Sequence, residues 1–182
     1  MSPQIRWDVP SPYNYAAAID GVGTISAPLL AGISIALTAI VISGGSAFGL
    51  ASLTLGCLVF AAGAFVACVE CVATARQYVV TPSDLESWWP DYNEPMRCEM
   101  LQREQRAYHL RFQTWADRAR WGYDLGVLAL SLGVVTLLVP HGHVSGGRWT
   151  VIALAALGFA CEFLWIVKTH CTQPTLDVSS ES

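Results

Sequence analysis

The stretch that decides the fold is residues 22–42, which read VGTISAPLLAGISIALTAIVI and contain no charged side chain. At about 1.5 Å per residue, a helix of this length covers roughly 30 Å, the thickness of the hydrocarbon core of a bilayer. Further apolar stretches of similar length follow at 47–73, 121–139 and 149–167. The pattern predicts an all-α integral membrane protein with four transmembrane helices.

The composition agrees with a membrane setting. Of the 182 residues, 53% are hydrophobic and only 13% are charged, whereas soluble domains carry about 25% charged residues. The basic residues are few and scattered and the net charge is −4, which argues against nucleic-acid binding. All cationic residues except Lys168 are Arg, a bias that, together with abundant Ala, Gly and Val, hints at a bacterial origin.

The distribution of Arg and Lys predicts the orientation. Seven Arg residues lie between the second and third stretches, in residues 74–120, whereas SGGS at 43–46 has none and PHGHVSGGR at 140–148 has one. Because loops rich in Arg and Lys stay in the cytoplasm, we expect residues 74–120 and both termini to be cytoplasmic in a plasma-membrane protein. No signal-peptide pattern precedes the first stretch, so we expect it to remain as a helix.

The predicted organisation has five segments. They are a cytoplasmic N-terminal segment (1–20), a first transmembrane hairpin (21–73), a cytoplasmic helical segment (74–120), a second transmembrane hairpin (121–168) and a disordered cytoplasmic tail (169–182). Only two short loops remain on the opposite side, so most of the surface open to other molecules is expected in the cytoplasm.

The segment between the hairpins begins with a predicted short helix at 82–89. Thr81 is a plausible N-cap, Pro82 suits the first helical position, and Pro90 ends the helix. Trp88 and Trp89 lie close to the predicted membrane boundary, where indole rings favour the headgroup level. They are therefore expected to anchor the chain at the interface or to form an aromatic patch that binds a partner.

Residues 94–120 have a helical pattern, and no Gly or Pro separates them from the third stretch until Gly122. One long helix is therefore expected to leave the membrane. It carries a single apolar stripe, with members Leu101, Tyr108, Phe112, Trp115 and Ala119. The stripe requires cover from residues 82–89, from a second copy or from another protein. Besides the lipid bilayer, the expected partners are therefore a homo-oligomer or a cytoplasmic protein.

One carboxylate lies near the cytoplasmic end of each predicted helix. These residues are Asp20, Glu70, Asp124 and Glu162. A charge inside hydrocarbon costs about 2.5–3.5 kcal/mol, so Glu162 is expected to face other helices or a wet cavity. The four acids could form a cation-binding ring or a proton relay, or they could pair with Arg, Lys or hydroxyl groups and fix the packing. Glu70 and Glu162 are the deepest and are the first candidates for an ion site.

Two thiols flank Glu70 in CVEC, residues 68–71. A structural zinc site needs four ligands, and a single CxxC inside an apolar helix is weak support for one. Free Cys behaves as a small buried apolar side chain, so Cys68 and Cys71 are expected to pack in the core, and no metal or cofactor is predicted. His141 and His143 are expected in a solvated loop.

The first stretch has one narrow face of small or hydroxyl side chains, namely Thr24, Ala27, Ala31, Ser34 and Thr38. Such a face lets membrane helices approach closely, and it could also line a polar pathway. Pro28 removes a backbone donor in the same stretch, so a kink is expected there.

The sequence contains no GxSxG, HExxH, P-loop or dinucleotide-binding motif, so no enzymatic activity is expected. Two functions remain. The first is a small membrane scaffold or regulatory subunit that acts through its cytoplasmic helices. The second is an oligomeric cation channel or transporter with carboxylates near the inner end of the bundle.

Overall fold

The computed structural model describes residues 15–44, 48–80, 84, 87–89, 95–139 and 146–171, and these are almost wholly helical. The elements are α1 (Tyr15–Gly21), a π-helical turn (Val22–Ser26), α2 (Ala27–Gly44), α3 (Ala51–Arg76), α4 (Pro95–Leu138) and α5 (Gly146–Cys171). Four helices in this part of the chain are long and apolar enough to cross a membrane: Tyr15–Gly44, Ala51–Arg76, Arg97–Leu138 and Trp149–Cys171. The prediction of four such helices is confirmed.

Helix α4 continues without interruption through the predicted boundary between the polar segment and the third apolar stretch, so the prediction of one long helix is also confirmed. The last helix, by contrast, runs to Cys171, so residues 169–171 do not belong to the predicted disordered tail. Thr81, Pro82, Pro90, His141 and His143 lie outside the described residues.

The first helix changes its hydrogen-bonding pattern just before Pro28. A proline ring clashes with the preceding turn and offers no N–H, and the π-helical turn Val22–Ser26 lies directly ahead of it, with the Ala27 N–H donating to the Val22 carbonyl. The Thr24 hydroxyl donates to the Asp20 carbonyl at 2.6 Å. The irregularity expected at Pro28 therefore takes the form of a wider helical turn on its N-terminal side.

The chain forms two compact units, Met1–Ile33 with Ala62–Tyr123 and Ser34–Ala61 with Asp124–Ser182. In the first unit the helices meet through small side chains. A Cβ atom on Gly23 would lie 2.6 Å from the Val72 side chain, and one on Gly122 would lie 3.5 Å from Cβ of Cys68. Ala27 and Ala31 are buried, whereas Leu29 is exposed. Of the predicted small face, Ala27, Ala31 and Ser34 are buried, whereas Thr38 is half-buried and Thr24 is exposed.

In the second unit the helices also meet at a small residue, and a buried hydrogen bond joins them. A Cβ atom on Gly133 of α4 would lie 3.0 Å from the Leu58 side chain of α3. Nearby, Thr54 donates to the hydroxyl oxygen of Thr136 at 2.9 Å, and the Thr136 hydroxyl donates to the Gly133 carbonyl at 2.9 Å. Both threonines are buried, so their hydroxyls are satisfied within the protein.

The close approach at Gly23 makes a direct prediction about stability. Replacing Gly23 with Ala forces the new methyl group into Val72 and is expected to destabilise the protein by about 1–3 kcal/mol, the usual cost of overpacking. Gly21→Ala is the matched control, because nothing lies within 4 Å of its added Cβ. The measurement is unfolding of the purified protein in mixed detergent micelles, followed by circular dichroism. Equal stability of the two variants would contradict the packing described here.

Candidate functional site

Asp20 and Arg76 form an ion pair in the first unit. The Asp20 carboxylate, in α1, contacts the guanidinium of Arg76, in the last turn of α3, and both side chains are partly exposed. Grooves of about 260 Å³ and 220 Å³ adjoin the pair, and Arg76 lines both of them. The pair ties the start of the first helix to the end of the second and balances the two charges.

Asp124 and His170 form a second pair, in the second unit. Nε2 of His170 lies 2.8 Å from Oδ2 of Asp124, a distance at which an imidazole N–H donates to a carboxylate. The two side chains are only 16% and 18% exposed. His170 lies in the last turn of α5, so this contact fastens the end of α5 to α4.

Glu162 also meets α4 in the second unit. The Ser131 hydroxyl donates to Oε2 of Glu162 at 3.4 Å, a long hydrogen bond. The two residues line a groove of about 350 Å³. Its other lining residues are Leu130, Val134, Ala155, Gly158 and Phe159. Glu162 therefore faces a neighbouring helix, as the sequence indicated, and its carboxylate lies in mainly apolar surroundings.

Glu70 differs from the other three acids. It is exposed on α3, and among the described residues no hydrogen bond or salt bridge reaches its carboxylate. Its backbone carbonyl accepts a hydrogen bond from Thr74 at 2.9 Å. Within the described part of the chain, Glu70 therefore has no partner that would hold its carboxylate in one orientation.

The contacts bring each of three acids to a different partner. Asp20 meets Arg76, Asp124 meets His170, and Glu162 meets Ser131. Among the described residues, no group of three or more His, Cys, Asp or Glu is placed to hold a metal ion. His170 and Ser131 are partners that the sequence did not predict, although His170 lies two helical turns beyond Glu162 and Ser131 two turns beyond Asp124, spacings that keep each pair on one helix face.

The thiols are spread through the structure. Cys68 is buried and packs beside Gly122, Cys71 is half-buried, and Cys161 and Cys171 are exposed. All of the described cysteines are free thiols. The part of CVEC that shapes the fold is thus Cys68, through its small size.

The predicted stripe on the polar half of α4 is covered in part. Leu101, Phe112 and Ala119 are buried, Trp115 is half-buried, and Tyr108 is 39% exposed. The cover comes from two places that the sequence analysis did not name. Tyr15 of α1 meets Phe112 edge-on with ring centroids 6.1 Å apart, and Tyr78 meets Tyr108 at 6.1 Å.

Arginine guanidinium groups also lie against aromatic rings beside this half of α4. Arg97 lies 5.2 Å from the ring centre of Trp89, and Arg118 lies 4.6 Å from that of Trp115. Trp88 and Trp89 line a groove of about 140 Å³ together with Leu101 and Tyr108. Each such cation–π contact contributes about 0.5–1 kcal/mol at an exposed site, so the aromatic residues named from the sequence help to hold this region together.

A second stripe on α4 is exposed along its whole length. Its large members are Met100, Leu110, Trp121, Leu125 and Leu132, and the exposed Ala107 and Thr114 lie between them. The intervals between successive members are sums of three and four residues, which place all of them on one helix face. The same face also carries the exposed Arg103 and Arg118, which separate the apolar members in the polar half, so the stripe is not evident from the sequence pattern.

The Asp124–His170 contact predicts a measurable coupling. Asp124→Asn and His170→Gln are each expected to lower the free energy of unfolding by about 1–3 kcal/mol, because each removes one partner of a largely buried charge-assisted hydrogen bond. The double variant should be less unstable than the sum of the two by about 0.5 kcal/mol or more. Glu70→Gln is the control and should change stability by less than about 0.5 kcal/mol. Strict additivity of the two changes would contradict the contact.

Comparison of the chain with protein-family models, with curated proteins and with solved structures gives no match.

Proposed function

We propose that this protein is a small multi-pass membrane scaffold that associates with a second copy of itself through the exposed stripe of α4. In this proposal the four long helices cross the plasma membrane, and the termini and the polar half of α4 lie in the cytoplasm. The observation that carries the proposal is the set of large exposed apolar side chains on one face of a single helix that runs from a charged region into an apolar one.

The orientation rests on the Arg distribution. Residues 95–120 contain six Arg residues, and Arg76 and Lys168 lie at the ends of α3 and α5. Positive residues that flank membrane helices are retained in the cytoplasm. With this orientation, residues 95–120 extend roughly 40 Å along the helix axis beyond the membrane.

Lipid and water impose different requirements on the two halves of the stripe. Trp121, Leu125 and Leu132 can remain against acyl chains, but Met100 and Leu110, which are 48% and 64% exposed, would face water. Burying these two side chains against a partner would remove apolar surface from water, which is favourable. Cover is therefore needed where the helix has left the lipid.

A second copy fits this requirement best. Two copies inserted with the same orientation place α4 beside α4 in parallel, so the same stripe faces itself about a twofold axis. The partner then covers both halves of the stripe at once, which a soluble protein cannot do. The small side chains of Ala107 and Thr114 allow the two backbones to approach closely.

The test places a photo-crosslinking amino acid, benzoylphenylalanine, at position 110 in full-length protein in native membranes. Gln113 is the matched control, because it is exposed on the same helix and lies about 100° around the helix axis from the middle of the stripe. We expect a crosslinked dimer from position 110 and none from position 113.

A second variant measures the strength of association. Leu110→Glu places a charge in the interface and removes apolar contact from both copies, so the dimer dissociation constant should rise about tenfold or more. Gln113→Glu should leave it unchanged. The measurement is single-molecule subunit counting in lipid nanodiscs over a range of protein-to-lipid ratios.

A chain that is monomeric at every ratio would contradict the proposal. Crosslinks from position 110 to a different protein, in place of a second copy, would also overturn self-association and would favour a regulatory subunit of another complex. The alternative of a cation channel or transporter has less support, because three of the four acids each have their own polar partner.

A further inference from the structure

Three aromatic side chains line one groove beside the polar half of α4. They are Trp88, Trp89 and Tyr108, and the groove between them has a volume of about 140 Å³. All three are exposed, Trp88 the most at 63%. The remaining lining residues are Val80, Leu101, Glu104 and Gln105. A molecule that enters the groove therefore meets three accessible aromatic rings.

The lining of this groove carries a negative charge. Glu104 is the one charged residue among the described residues that line it. Within the described part of the chain, no hydrogen bond or ion pair reaches the Glu104 carboxylate. Arg97 lies outside the lining, with its guanidinium 5.2 Å from the ring centre of Trp89. That contact shows that the aromatic surface beside the groove already attracts a cation.

Aromatic rings and a carboxylate together favour a cationic ligand. The face of an aromatic ring is negative, and it attracts a positive charge that lies within about 6 Å of the ring centre. A primary ammonium group brings three N–H donors that need acceptors, and most of this lining is aromatic or aliphatic. A quaternary ammonium group has no N–H, and its methyl groups pack against the rings. The lining therefore suits a quaternary ammonium group.

The position of the groove along α4 places it away from the lipid. Phe112 and Arg76 line a neighbouring groove, so Phe112 is level with the last turn of α3, which flanks the membrane in the proposed arrangement. Tyr108 and Leu101 precede Phe112 by about 6 Å and 16 Å along the helix axis, whereas one headgroup layer is about 5–8 Å thick. The ligand is therefore expected to come from water.

We propose that this groove binds a small water-soluble quaternary ammonium compound. The cationic head lies against the rings of Trp88 and Tyr108, and the Glu104 carboxylate balances its charge. The site adds a ligand to the proposed scaffold. It does not depend on dimer formation, because Leu110 is outside the lining.

The test is isothermal titration calorimetry with choline as the probe. The full-length protein is held in nanodiscs of phosphatidylglycerol, a lipid without an ammonium group. The matched control ligand is 3,3-dimethylbutanol, which has the shape of choline but carries no charge. Choline should bind saturably, and the alcohol should bind at least about tenfold more weakly, because the attraction to the rings and to Glu104 requires the charge.

Two variants with matched controls place the ligand in the groove. Trp88→Ala should raise the dissociation constant of choline about fivefold, because one ring is lost. Trp165→Ala, at a similarly exposed position on α5 outside the lining, should leave it unchanged. Glu104→Gln keeps the shape and removes the charge, so the constant should rise about two- to fivefold. Glu99→Gln, at an exposed position of α4 outside the lining, is its control.

The proposal is overturned if choline does not bind saturably, or if its neutral analogue binds equally well, since the groove would then not distinguish charge. Equal effects of Trp88→Ala and Trp165→Ala would also overturn it.

A titration in phosphatidylcholine nanodiscs distinguishes the two sources of the ammonium group. An unchanged dissociation constant for choline supports a water-soluble ligand. Loss of choline binding in these discs would assign the groove to a lipid headgroup and would contradict the proposal.

Discussion

The unbroken course of α4 is the constraint on which the rest of the structure depends. In hydrocarbon a backbone must satisfy its own N–H and C=O groups, so a membrane segment is held as a helix. In α4 the helix then continues into a segment rich in charge, without a Gly or Pro to stop it between Pro95 and Gly122. The positions that face lipid therefore fix which positions of the polar half share the same face.

This continuity produces two stripes with different environments. The stripe of Leu101, Phe112 and Ala119 is buried within the first unit by α1 and by the residues that follow α3. The stripe that contains Met100 and Leu110 stays open. Within one copy of the protein the first stripe is covered and the second is not. Self-association is therefore assigned to the exposed stripe of α4 and not to the aromatic residues around Trp88.

The contacts of the four acids decide between two interpretations of their spacing in the sequence. Their regular placement on the four apolar stretches leaves two interpretations, a cation-binding ring or proton relay and pairing that fixes the packing. In the structure Asp20 and Asp124 are each held by a cationic or imidazole group from another helix, so their charges are used in fastening helix ends. Among the described residues, Glu162 meets a serine through a long hydrogen bond.

Most of the architecture could be predicted because it follows from length and periodicity. Four helices of membrane-crossing length, the long α4 and the small face of the first helix can all be derived from the sequence. The partners of the acids could not, because His170 lies 46 residues from Asp124 in the sequence and no local rule links them. Tyr15 was assigned to a terminal segment, and only the fold brings its ring to Phe112.

The most direct test of the central claim is a spin-label scan of residues 97–138, one position at a time, in a background without the native cysteines and in lipid vesicles. The account predicts one uninterrupted period of 3.6 residues in label mobility, with no change of phase near Arg120 and with immobilised labels at Met100 and Leu110. A break in phase at the membrane boundary would contradict a single continuous helix. Labels at Met100 and Leu110 as mobile as that at Gln113 would contradict its association with a second copy.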